Sequence, residues 1–327
     1  MKSHTCEFAP KDLARLAGGP LAAVAVFALL MHGGARLRLL PAPRPTLDTD
    51  RTILIHQAAA SRAPQQAGVL LLGDSSCLMD VSARQLSERI GRPVLNLGTL
   101  SYLDPGAQAI LLREYAAANP GRLRAVVLLM HPEALRRAGS EPYQLALLED
   151  FLAGRDHFRG DSLGGCIAGL SGVEIFKGRV LARAVPSPLG GAYGRFYGFS
   201  DDLEDFMTAS QGSAIDPDLS ALAGSSEYRL SPVMEKTARE FKAAVPPGVM
   251  LLTGLTPVPG NFAGPDFLRE HPVLLRQWGQ WLGADALLDD LPAALPDDRF
   301  ARTTHLKPGA VGNYTGTLAA SLKTRLP

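Results

Sequence analysis

"VLLLGDSSCLMDV", Val69 to Val81, decides how the chain is read. Four apolar residues run into a glycine, an acid and two adjacent hydroxyls. A plain surface turn has this composition. So has a buried strand that delivers a serine to the mouth of an α/β sheet. The rest of the sequence separates the two. "PVLNLG" (Pro93–Gly98), "RAVVLLM" (Arg124–Met130) and "VMLLTGLTP" (Val249–Pro257) are further short, apolar runs, as strands buried on both faces should be, and "ADALLDD" (Ala284–Asp290) is a candidate fifth.

Helical signals stand between these runs. "DVSARQLSERIG" (Asp80–Gly91) has helical spacing and a terminal glycine. "DPGAQAILLREYAAANPG" (Asp104–Gly121) has Asp104 at the N-cap and Pro105 at the first helical position. "SPVMEKTAREFKAAVPPG" (Ser231–Gly248) opens in the same way, on Ser231 and Pro232. "GPDFLREHPVLLRQWGQWLG" (Gly264–Gly283) reads as a helix with a break before Pro272, and "KPGAVGNYTGTLAASLKTRL" (Lys307–Leu326) as a closing helix. This alternation predicts an α/β fold, a three-layer α/β/α sandwich around a parallel sheet.

The 327 residues are 46% hydrophobic and 20% charged, enough for a sizeable core, and the net charge is +1. That balance supplies no whole-chain attraction to nucleic acid, so no nucleic-acid partner is expected. Cys6, Cys77 and Cys166 form neither a disulfide framework nor a CxxC pair. One bridge, Cys77 to Cys166, competes with the plainer reading of free buried thiols. No metal and no organic cofactor is expected.

Leu16 to Ala35, "LAGGPLAAVAVFALLMHGGA", contains no Asp, Glu, Lys or Arg. As a helix, 20 residues span about 30 Å, the thickness of a bilayer core. Residues 1–15 then form a short N-terminus, 16–35 a transmembrane anchor, 36–51 a Pro/Arg-rich tether, and 52–327 the globular domain. Cleavage near Gly33-Gly34-Ala35 is the competing reading, and Arg36 and Arg38 are poor neighbours for it. A buried globular helix is the third. From about Gly139 to Glu227 the strand–helix rhythm breaks in a Gly-, Ser-, Asp- and Pro-rich stretch, read as an insertion at 139–227. Tyr193, Phe196 and Tyr197 lie in it; they are either loop packing or rings on which a sugar could stack. Trp278 and Trp281, three apart on a helix, read as core.

In an open parallel sheet, ligands bind beyond the carboxyl ends of the strands. Those ends carry Asp74-Ser75-Ser76, Gly98-Thr99, His131-Pro132-Glu133 and Thr256-Pro257, with Asn261 slightly later. "RTTHLKPGA" puts His305 at a loop-to-helix junction before the last helix.

"GDSS" after the first strand, "NLG" after the second and "THLKPGA" before the final helix resemble the SGNH (GDSL-like) hydrolase superfamily. More closely, the chain resembles membrane-anchored SGNH-like proteins of bacterial surface-polysaccharide O-acetylation and export. The likeness covers Gly68 to Met130 and Val249 to Leu326. It implies an SGNH/flavodoxin-like sheet, Ser75 as nucleophile and His305 as base. The Ser75 and Gly98 backbone N–H groups become oxyanion donors. It also implies a single-pass inner-membrane protein with its domain in the periplasm. The activity implied is acyl-ester chemistry on a surface polysaccharide, by an O-acetyltransferase or esterase, with an acetyl-delivering membrane protein as partner.

Two positions depart from that pattern. The family's aspartate three residues before the histidine is Arg302 here, which leaves Asp297 or Asp298 to orient the ring. The family's third-block asparagine is replaced by "MHPE", where His131 either donates to the oxyanion or fills the cleft. Both departures favour an alternative: a catalytically degenerate domain that binds glycan or scaffolds a polysaccharide export complex.

Overall fold

The computed structural model describes residues 49–154, 229–264 and 266–326, with helical pieces at 11–12, 18–23, 25–27 and 29–30. The chain divides into two units, Met1–Leu47 with Phe158–Ser200, and Asp48–His157 with Asp201–Pro327. The second carries every element below.

Its elements run α1 (Thr49–Arg62), β1 (Val69–Gly73), α2 (Ser75–Asp80), α3 (Ala83–Ile90), β2 (Val94–Asn96), α4 (Pro105–Ala118), β3 (Ala125–Met130) and α5 (Pro142–Leu152). After residues 155–228, which lie outside the description, come α6 (Pro232–Ala244), β4 (Met250–Leu255), β5 (Val258–Pro259) and α7 (Phe267–Leu282). The chain closes with β6 (Ala286–Leu287), β7 (Ala294–Leu295), β8 (Phe300–Arg302), β9 (His305–Leu306) and α8 (Pro308–Lys323).

Five strands form one sheet in the order β2-β1-β3-β4-β6, and every pairing is parallel. Side-chain alternation sorts the strand residues to two cores. Leu70, Leu72, Val126 and Leu128 face a cluster that holds side chains of α1, α4, α5, α6 and α7. Val69, Leu71, Val127 and Leu129 face a second cluster with α3 and α8, including Leu86, Val311 and Leu318. Helices therefore cover both sides of the sheet, and this is why β1 and β3 read as unbroken apolar runs.

The chain leaves β1 for β2 at one edge and returns across β1 to build β3. The direction of winding reverses there, and a crevice opens beyond the carboxyl ends of β1 and β3. Ser75 follows β1 and His131 follows β3.

Several element boundaries differ from those the sequence suggests. The expected helix over Asp80–Gly91 is α3, which starts only at Ala83, and a separate short helix, α2, ends at Asp80. Ser82 caps α3 by accepting from the Gln85 N–H, and Gly91 ends it in the left-handed conformation, with φ of 70°. Pro272 sits inside an unbroken α7, which stops at Gly283. Part of the stretch read as an insertion is core: α5 buries Leu147, Leu148 and Leu152 in the cluster it shares with α1. The tether read as 36–51 gives way to α1 at Thr49. The aromatics Tyr193, Phe196 and Tyr197, and Cys6 and Cys166, lie outside the described residues. Cys77 is a free, buried thiol. Trp278 is core as expected, fully buried, with its indole N–H donating to the Thr253 hydroxyl at 3.0 Å. Among the described residues, no helix is long and apolar enough to cross a membrane; of the expected span, residues 16, 17, 24, 28 and 31–35 lie outside them.

Gly73 closes β1 with φ of 154°, and a Cβ there would collide with the Leu129 carbonyl and the Cys77 side chain. Gly91 also has positive φ but faces open space. The prediction is asymmetric. Gly73→Ala should cost about 3 kcal/mol or more through steric overlap that the buried backbone cannot relieve. Gly91→Ala should cost about 1 kcal/mol, the penalty of a left-handed alanine. Urea midpoints of the two variants measure the difference.

Candidate functional site

The site is organised around Asp74. It is fully buried and is the N-cap of α2. Its Oδ1 accepts from the Ser76 N–H at 3.0 Å and the Ser76 hydroxyl at 2.6 Å, and its Oδ2 accepts from the His131 N–H at 2.8 Å. The Ser76 hydroxyl also meets the Thr256 hydroxyl at 2.7 Å. One carboxylate thus ties together the ends of β1 and β3, and through Ser76 the end of β4. Burial pushes the Asp74 carboxyl above its ordinary pKa, against the pull of those donors and of nearby His305.

Ser75 is the first residue of α2, so its N–H has no acceptor within the helix. Its Oγ lies 2.9 Å from Nε2 of His305, 230 positions away in sequence. The two residues that the sequence singled out are in hydrogen-bond contact. Asp80, at the other end of α2, helps to fix that contact. It is buried, and its Oδ1 accepts from the Leu306 N–H at 2.8 Å. The six-residue helix that begins with the serine therefore grips, at its far end, the residue next to the histidine. Asp80 read in sequence only as the start of a helix. A buried acid five positions after Ser75 was the available signal.

His305 stands on β9, paired antiparallel with β8 across a tight turn. Burial is the largest of the influences that lower its pKa, to about 4; His131 and Arg302 push the same way, and Asp74 opposes them. At neutral pH the ring is uncharged. An uncharged ring whose Nε2 accepts from the serine hydroxyl carries its proton on Nδ1.

His131 is 2% exposed. Its Nδ1 accepts from the Glu133 N–H at 3.2 Å, so the neutral ring bears its proton on Nε2. That Nε2 is buried and has no hydrogen-bond partner among the described residues. Burial lowers the His131 pKa to about 4 as well, with Glu133 opposing. The His131 ring, with its buried Nε2–H, belongs to a residue that lines the same cavity as Ser75. The cavity has a volume of about 400 Å³. Asp74, Ser75, Ser101 and His131 line it together with Thr304, next to His305, and residues 133, 134, 136 and 137 from the segment after β3.

Two expectations fail on geometry. Gly98 is not an available oxyanion donor, because its N–H donates to Asn96 Oδ1 at 2.8 Å. Its missing side chain serves packing instead: a Cβ there would press on the backbone of Leu78 in α2. Asp298 does not orient His305. Its side chain is 77% exposed, and it pairs with Arg299 at 3.8 Å on the turn before β8. Asp297 accepts from the Asn261 N–H at 3.0 Å instead, and neither Asn261 nor Asp297 lines the cavity. Among the described residues, no carboxylate hydrogen-bonds the His305 ring, and no three His, Cys, Asp or Glu side chains group to hold a metal ion.

No family model, no curated protein and no solved structure matches the chain.

His131 generates a prediction about stability. Its pKa is lower in the native state than the ordinary 6.5. Between pH 6.5 and about 4, the unfolded chain binds a proton that the native chain does not, so stability is fully present above that window and falls as pH drops through it. From pH 7 to pH 5 the loss due to His131 should be about 2 kcal/mol. His131→Asn keeps an acceptor for Glu133 and removes the titration. Its urea midpoint should fall less between those two pH values than that of the parent chain.

Proposed function

We propose that the chain is an SGNH-like serine acyl-ester enzyme that acts on a surface polysaccharide, as an O-acetyltransferase or esterase. The observation that carries this reading is the 2.9 Å contact between Ser75 Oγ and a neutral His305 at the β1/β3 crevice, beside an uncommitted His131 N–H. The strand order β2-β1-β3-β4-β6 is that of a flavodoxin-like sheet and suits the same reading.

In this mechanism the Ser75 hydroxyl attacks the acyl carbonyl while its proton passes to His305 Nε2. The negative charge that develops on the carbonyl oxygen is met by the Ser75 N–H and by His131 Nε2–H, the latter taking the place of the family's asparagine side chain. Collapse expels the alkoxide, which takes the proton from His305, and leaves an acyl-serine. An acceptor hydroxyl, or water, then gives its proton to His305 and attacks the acyl-serine, which regenerates Ser75. Transfer and hydrolysis differ only in that second nucleophile. The periplasmic placement and the acetyl-delivering membrane partner belong to the same reading. The helical pieces between residues 18 and 30 favour the anchor, since Leu21, Leu29 and Leu30 expose 65%, 72% and 68% of their surface.

A binding domain without turnover is the second reading. It is favoured by the lack of a carboxylate on the His305 ring among the described residues, a loss that costs a serine triad about four orders of magnitude in rate.

The test uses the full chain with a 4-nitrophenyl acetate ester. Slow, saturable turnover is expected. Ser75→Ala and His305→Ala should each reduce it on the order of a hundredfold or more, and the double variant little further, because the two act as a unit. The kcat/KM profile should rise through about pH 4 and be flat by pH 6, since His305 must be unprotonated to accept the serine proton. Turnover that survives Ser75→Ala defeats the assignment.

A further inference from the structure

Arg137 lines the cavity that Ser75 and His131 line. Its guanidinium carbon lies 5.0 Å from the centroid of the Tyr102 ring, so the planar group is held against an aromatic face. Such stacking fixes the fork and leaves its in-plane N–H donors unspent. Among the described residues, no carboxylate or carbonyl takes those donors. The contrast with its neighbour is direct: Arg136 lines the same cavity but is paired with Glu133 at 3.1 Å. The acids in the cavity wall are Glu133, paired with Arg136, and Asp74, whose two oxygens already accept three donors. A second arginine, Arg302, is exposed and near enough to His305 to depress its pKa, and it too has no ion-pair partner among the described residues. The cavity thus has a buried, fully bonded carboxylate at its floor, and at its wall a pre-oriented cation without a counter-charge among the described residues.

We infer that Arg137 is the binding subsite for a carboxylate carried by the ester substrate, so the cavity takes acidic esters in preference to neutral ones. A carboxylate matches the flat arginine fork with two parallel hydrogen bonds. This inference rests on the acyl-ester reading for its substrate, but its binding component is measurable without turnover. The carboxylate has two sources, the acyl half of the ester or the alcohol half, and the chemistry at Arg137 is the same for both.

Two probe pairs separate the sources. 4-Nitrophenyl succinate against 4-nitrophenyl acetate places the charge on the acyl half. 3-Carboxyphenyl acetate against phenyl acetate places it on the alcohol. In one pair the acidic ester should be preferred by about tenfold in kcat/KM, the scale of a charge-assisted hydrogen bond. Arg137→Ala should bring that ratio close to one, and Arg137→Lys should restore part of it. Arg239→Ala, on the exposed face of α6, should keep the parent ratio. Succinate and benzoate binding to the full chain is measured alongside by calorimetry, with and without Arg137→Ala. If no ester is turned over but a carboxylate binds and Arg137→Ala abolishes that binding, the subsite stands and the enzyme reading falls. If esters are turned over with ratios that Arg137→Ala does not change, the subsite is wrong and the enzyme reading stands. If neither turnover nor carboxylate binding occurs, both fail.

Discussion

A single buried carboxylate, that of Asp74, holds the crevice together. A carboxylate out of water is costly unless its lone pairs are filled, and here the Ser76 amide, the Ser76 hydroxyl and the His131 amide fill them. Those donors come from the turn after β1 and from the end of β3, and the Thr256 hydroxyl after β4 joins through Ser76. Three strand ends are thereby tied to one another. The serine and both histidines inherit their positions from that lock. Gly73 is its counterpart in the backbone. The chain can turn from β1 into α2 at that point only because no side chain stands between Gly73 and the Leu129 carbonyl.

The second constraint is the short helix α2. It begins with Ser75 and ends with Asp80, and Asp80 bonds the amide beside His305. Ser75 and His305, 230 residues apart, are therefore referred to one turn-and-a-half of helix. α8 contributes from the other side, where the Thr315 hydroxyl accepts from the Ser82 N–H directly after α2. The C-terminal segment is thus bound at Asp80 of α2 and at Ser82, the N-cap of α3.

Much of this was legible in the residues. Continuous apolar runs gave the parallel strands because burial on both faces removes any need for alternation. Ser75 and His305 stood out because a hydroxyl after a strand and an imidazole before a helix sit where an open sheet places its ligands. What stayed hidden depended on pairings that one-dimensional spacing does not encode. Gly98 looks like an exposed backbone donor until Asn96, two residues earlier, turns its side chain back to take the N–H. Asp298 is close to His305 in sequence, but a turn of 3₁₀ helix at Asp297–Arg299 leaves its side chain in solvent. α2 was missed because six residues are too few to show a helical period. The core role of α5 was masked by the glycines and serines around it.

The missing carboxylate on His305 changes the electrostatics of the crevice without emptying it of negative charge. When a base ring accepts a proton from serine, a cation forms where water is scarce, and something must offset it. In a triad an aspartate does so through a hydrogen bond. Here Asp74 is the carboxylate that favours the charged ring, and it acts through space, since its lone pairs are occupied elsewhere. Its influence is outweighed by burial, His131 and Arg302, which together hold the ring at a pKa of about 4. The same burial keeps His131 neutral, and the Glu133 N–H on Nδ1 leaves the proton on Nε2, which has no partner among the described residues. Desolvation therefore plays two roles in one cavity. It produces a weak acceptor at His305 and a preserved donor at His131.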